Sequence, residues 1–167
     1  MPGYTGYRIE SQKGTEVAHL DDPTCPIYRT MDVVGDRWSL LIVRNALRGQ
    51  TRFSEFHETL GITTDILTRR LGQLVAAGVM EQLPYQQPGQ RARYSYHLTE
   101  AGLRLKLVLA AMVQWGEEFN PVPGGTAALL ARSDGLPVTL AFVSDDGSAE
   151  PIDDIYIRPG PVSRERW

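Results

Sequence analysis

The sequence predicts a mainly helical α+β fold, and three observations carry that prediction. Between Cys25 and Gly78 apolar residues recur at helical spacing, interrupted by glycines and helix-capping residues. Between Val79 and Thr99 the period changes to that of two strands around the turn QQPGQ. From about Glu100 to Phe119 a long, strongly apolar helical pattern returns. A chain of 167 residues suits one compact domain with extensions. Residues 1–24 read as a polar N-terminal arm, residues 25–119 as the domain, and residues 120–167 as a C-terminal extension.

Each element follows from local chemistry. Pro26 fits the first position of a helix headed by Cys25, because its missing N–H costs nothing there. Ile27, Met31 and Val34 line one side, and Gly35 ends the helix. Asp36 is placed to cap the next helix, whose run Leu40–Leu41–Ile42–Val43 predicts burial on most sides. Ser54 is the predicted cap of a short helix carrying Phe56 and Leu60 and closed by Gly61. Thr63 or Thr64 then caps a helix with Leu67, Leu71 and Leu74 on one face. Thr99 caps the predicted helix Glu100–Phe119, apolar on two sides, which needs two partners: its own domain and, most simply, a second subunit. In the extension, residues 138–143 and 154–157 are the predicted strands of a small hairpin.

Composition narrows the function classes. The first twenty residues contain no apolar run of the secretory kind, and no stretch approaches the length that crosses a bilayer, so no membrane role is expected. The single cysteine offers no disulfide framework and suits a reducing cytoplasm. His19, His57 and His97 are scattered, so neither a metal nor another cofactor is expected. The net charge is −3, yet residues 26–119 hold eleven Lys or Arg against nine Asp or Glu, a balance of +2 between acidic flanks. That charge is too small to establish nucleic-acid binding by itself, so position must carry the case.

Position does so. A short helix, a tight Gly-Ile-Thr-Thr turn, a second helix and a hairpin bearing Arg91 and Arg93 make a winged helix-turn-helix. On the second helix Asp65, Arg69 and Gly72 lie opposite the leucine face, flanked by Thr68 and Gln73. Arg69 can donate two hydrogen bonds to a guanine edge, while Thr64 and Thr68 suit phosphate or a thymine methyl. Asp65 repels phosphate but can accept from a cytosine amino group. Arg70 flanks the apolar stripe, where an intradomain ion pair competes with DNA contact. Arg91 is expected at the backbone or minor groove, and Arg93 has equal claims to DNA and to solvent, since strand neighbours point oppositely. Trp38, Trp115, Tyr28, Tyr94 and Tyr96 are expected in packing roles, Trp38 and Trp115 supporting the domain and the dimer contact; an aromatic pocket for a small-molecule effector between the subunits is the minority reading.

The stretches CPIYRTMDVVGDRWSLLIV, RFSEF, GITTDILTRRL, LVAAGV and YHLTEAG together resemble the HxlR family of bacterial winged helix-turn-helix regulators, relatives of the MarR group. The resemblance covers about residues 24–119 and leaves the extension outside. It implies a homodimer paired through the first and last helices of the domain, with Ile27, Met31, Leu105, Val108, Leu109, Met112 and Trp115 at the interface. It also implies a pseudo-palindromic operator and regulation of transcription, with repression preferred by analogy. Many family members sense oxidants or electrophiles through the cysteine matching Cys25. A thiol at a helix N-terminus meets unpaired backbone donors and the positive dipole end, both of which favour the reactive thiolate. A buried, inert capping cysteine is the competing reading.

Two rival functions are weighed. A Cys25-dependent enzyme would need a histidine base and an oxyanion site, and neither His57 nor His97 sits in a supporting motif. A winged-helix protein-interaction module would be expected to lack the basic wing and polar recognition face, and both are present.

Overall fold

The computed structural model describes residues 24–157 except 90 and 126. The N-terminal arm up to residue 23 and the polar tail from residue 158 lie outside the described residues. The described residues form, in order, α1 (Pro26–Val34), α2 (Arg37–Leu47), α3 (Phe53–Leu60), α4 (Thr64–Ala76), β1 (Met80–Tyr85), β2 (Arg93–Leu98), α5 (Glu100–Arg104), α6 (Lys106–Phe119), β3 (Phe142–Val143) and β4 (Ala149–Glu150), followed by a 3-10 turn at Ile152–Asp154. The mainly helical architecture with its hairpin is the one expected.

The helix ends show the predicted chemistry with some changes of actor. Cys25 is the N-cap of α1, its Sγ accepting the Tyr28 N–H at 3.5 Å. Asp36 caps α2 by accepting from the N–H groups of Trp38 and Ser39 at 3.0 and 3.1 Å. The predicted cap Ser54 is instead inside α3, which begins at Phe53. There the Glu55 carboxylate reaches back to the N–H groups of Thr51 and Arg52, at 2.8 and 2.9 Å, and closes the helix end. Thr63 occupies the N-cap position of α4, but its hydroxyl makes no capping bond. Gly61, at φ +62°, turns the chain between α3 and α4, a backbone state that a side chain would strain.

Ile42, Val43, Phe56, Leu67, Leu71, Leu74 and Met80 are almost completely buried in one core built by α2, α3, α4 and the start of β1. The β1–β2 hairpin is antiparallel, with Met80 opposite Leu98 and Tyr85 opposite Arg93. A third segment joins it: Arg52 bridges Ser95, and the Tyr96 N–H donates to the Thr51 carbonyl at 2.7 Å. This segment anchors the wing to the entrance of α3.

Two expectations are corrected. The single helix Glu100–Phe119 is two helices that meet at Leu105, whose N–H bonds the Gly102 carbonyl three residues back. The tightening has a cause: α5 is pinned, with buried Gly102 against the Val79 carbonyl and the Thr99 hydroxyl donating to the carbonyls of Gly78 and Val79. In the extension, β3 pairs with β4 and not with residues 154–157, which form no strand. Asp146 explains the closer pairing. Its carboxylate accepts from the Ser148 N–H and the hydroxyls of Ser144 and Ser148, folding the chain back at once.

Candidate nucleic-acid interface

The leucine face of α4 is wholly buried, and this decides what its opposite face presents. With Leu67, Leu71 and Leu74 in the core, Thr64, Asp65, Thr68, Arg69, Gly72 and Gln73 are all exposed. Arg69, expected to read a base edge, has no ion-pair partner among the described residues.

Arg70 stands apart from this group. Its Nε lies 3.2 Å from Asp36 Oδ1, and its Nη1 donates to Gln73 Oε1 at 2.9 Å. The Nε–Oδ1 separation is that of a charge pair without hydrogen-bond alignment, since the Nε–H is buried and finds no acceptor. Burial works against ionisation of Asp36. The hydrogen bonds from the Ser39 hydroxyl and N–H, the Arg70 charge and the Trp38 N–H outweigh it and hold the carboxyl below its ordinary range. Glu55 is likewise held low, chiefly by the N–H groups of Arg52 and Thr51.

The wing carries further cations. Arg91 precedes β2 and is exposed; Arg93 opens β2 and is also exposed. Arg52, which the sequence reading passed over, places its guanidinium 5.4 Å from the centre of the Tyr85 ring, and Tyr85 is the cross-strand neighbour of Arg93. The signal that could have found Arg52 is non-local, because it depends on the bridge to Ser95. Tyr94 is exposed, whereas Tyr28, Tyr96 and Trp38 are partly buried.

Ile27, Met31, Val108, Met112 and Trp115 are exposed apolar residues, joined by Leu103, Leu107 and Phe119, which lie outside the expected interface set. Leu105 and Leu109, also expected at an interface, pack against the domain's own core. The extension covers another side of α6 but leaves Met112 51% and Trp115 61% exposed. His57 stacks on Phe53 and His97 Nε2 lies 3.0 Å from Ser95 Oγ, while Cys25 Sγ meets the Tyr28 N–H. Among the described residues no three His, Cys, Asp or Glu side chains gather as metal ligands, and no helix is long and apolar enough to cross a membrane.

Comparison with known proteins agrees with this geometry. Rv3095 of Mycobacterium tuberculosis, an uncharacterized HTH-type transcriptional regulator, is 40% identical over 97 residues, 58% of this chain and 60% of its own length. The chain thus spans less than two thirds of that relative. The solved structure of PA1607, a candidate transcription factor, superposes with a TM-score of 0.72 at 38% identity, covering 83% of this chain and 96% of that one. That likeness runs longer than residues 25–119. The redox regulator HypR in its oxidized form superposes with a TM-score of 0.52 at 33% identity, covering 59% of this chain and 100% of that one. The family model for the HxlR-like helix-turn-helix matches residues 33–122, which hold the helix pair, the wing and α6. With that match and a winged-helix fold in hand, the chain belongs to the HxlR-like helix-turn-helix family.

Proposed function

We propose that this chain is a homodimeric, sequence-specific DNA-binding transcriptional regulator acting in the cytoplasm as a repressor. The observation that carries the proposal is the two-sided character of α4: three leucines fully buried on one side, and on the other an exposed polar face whose Arg69 has no ion-pair partner among the described residues. Such a helix enters a major groove, Arg69 reading guanine and Thr64, Thr68, Asp65 and Gln73 contacting neighbouring groups. Arg91 and Arg93, with Arg52 beside them, supply the phosphate contacts that fix register. Arg70 positions the helix through Asp36.

A second copy, packed on the apolar strip of α1 and α6, sets two α4 helices on half-sites about one turn of DNA apart, roughly 34–36 Å. Cys25 supplies the input. It heads α1, whose exposed Ile27 and Met31 belong to that strip, so an adduct on its sulfur changes the pairing of the subunits. The redox role stated for HypR supports this reading.

The experiment is fluorescence anisotropy on promoter and random duplexes over a range of salt. A specific regulator prefers its operator by about a thousandfold or more, with affinity falling steeply as salt rises. Equal affinity for both duplexes, or a salt slope near zero, would overturn the proposal.

A further inference from the structure

The extension gives α6 a neighbour beyond the winged-helix domain, and the seam between them is hollow. Gln114 clamps the extension by its backbone. Its Oε1 accepts the Leu140 N–H at 2.8 Å, and its Nε2 donates to the Leu140 carbonyl at 3.4 Å. Glu117 Oε1 takes the Ala127 N–H at 3.0 Å. Beside these clamps a cavity of about 490 Å³ opens between α6 and the β3 segment. That volume falls within the range of small-molecule sites, about 300–1,000 Å³.

The lining specifies a ligand chemistry. Trp115, Phe119, Phe142, Leu140 and Ile152 make it apolar and aromatic, and Glu118 is its one charged residue. The rings of Trp115 and Phe119 stand 5.8 Å apart and tilted by 36°, presenting two differently angled surfaces. Among the described residues no lysine or arginine pairs with Glu118. Aromatic faces attract cations through their quadrupoles, and the carboxylate adds a full negative charge in the same wall. An anion meets repulsion here, whereas a cation gains from both the rings and the exposed Glu118 carboxylate at the rim.

We infer that this cavity binds a lipophilic organic cation, with a delocalised or quaternary charge on an aromatic frame. Trp115 and Phe119 also belong to the apolar strip of α6, so binding requires that a second copy leave this end of the strip open; the effector role rests on the function proposed above. The route runs through packed elements: α6 lies on α2, and α2 lies on α4. A molecule wedged against α6 biases the placement of α4 to the extent that it prefers one arrangement of α6 over another.

The test is calorimetric titration of the full-length protein, without DNA, with tetraphenylphosphonium and with tetraphenylborate, ions of similar shape and opposite charge. The cation is expected to bind in the micromolar range and the borate at least about tenfold more weakly. Glu118→Gln should erase that preference, and Phe142→Ala should weaken the cation by about tenfold. Equal binding of both ions, or a preference untouched by Glu118→Gln, overturns the inference. So does uptake of neither ion, the result expected if a second copy of the chain fills the cavity. A further arm adds operator DNA. Release of DNA by the cation supports the effector role; cation binding that leaves operator affinity unchanged overturns that role. Cation binding by a protein that shows no operator at all would remove the regulator reading and leave the site standing.

Discussion

Arg70 Nε lies 3.2 Å from Asp36 Oδ1, so a side chain of α4, the proposed recognition helix, is held by the cap of α2. Two adjacent arginines of α4 therefore have different duties. Under the function proposed above, the exposed Arg69 reads a base edge, while Arg70 holds α4 on the domain.

This division predicts separable losses. Arg69→Ala should cost about 1–3 kcal/mol of operator affinity and relax the preference at one base position, with the thermal midpoint unchanged. Arg70→Ala should lower stability, and a double-mutant cycle with Asp36→Asn should return a coupling on the order of 1 kcal/mol. Anisotropy on operator variants and urea titrations measure the two. A stability loss for Arg69→Ala as large as for Arg70→Ala would contradict the assignment.

Acid should destabilise the domain through Asp36 and Glu55. Both carboxyls are held below their ordinary values in the folded chain. As the pH falls the unfolded chain therefore takes up these protons first. The stability they add is complete above about pH 5, beyond the ordinary range of Asp and Glu, and is lost as the pH drops through their lower folded values. Asp36→Ala should remove the cap at a cost of about 0.5–2 kcal/mol at neutral pH and flatten the acid limb. Urea midpoints between pH 3 and 7 would show it.

Gly102 should tolerate no side chain. A Cβ built there would stand 2.2 Å from the Val79 carbonyl oxygen, a backbone atom that cannot swing away. Gly102→Ala should cost about 1–3 kcal/mol, read by denaturant titration, despite the better helix propensity of alanine. Gly72, whose added Cβ meets nothing within 4 Å, is the control. Gly72→Ala should leave folding intact or improve it and act only on DNA affinity.

The exposed strip of α6 should hold the dimer together. Leu107→Glu and Met112→Glu place a charge where two copies would meet, and sedimentation should show a monomer whose affinity for a two-half-site operator is greatly reduced. A wild-type chain that sediments as a monomer at working concentration would remove the basis of this prediction.

Cys25→Ser should keep α1 intact, because a hydroxyl can accept the Tyr28 N–H in place of Sγ. The variant should bind operator normally and lose its response to quinones and hypochlorite. Retained release by these agents, measured with the same duplex, would return Cys25 to a purely capping role.

What the sequence alone determined is local. The period of the leucines in α4, the Asp36 cap, the change of period at Val79 and the turn QQPGQ each act within a few residues, so the order of elements and the polar face of α4 could be read directly. Tertiary structure decided what depends on distant partners. Local pattern left Arg70 open between an intradomain ion pair and DNA, and only the fold brings Asp36, remote in sequence, to 3.2 Å from its Nε. The helix ending at Phe119 broke at Leu105 because Gly102 is held by the Val79 carbonyl. Residues 154–157 resembled a strand, yet Asp146 turned the chain early enough for Ala149–Glu150 to take their place. The docking of the extension through Gln114, and the cavity beside it, carry no periodic signal at all, because a side chain pairing with a backbone 26 residues away is settled by packing and not by pattern.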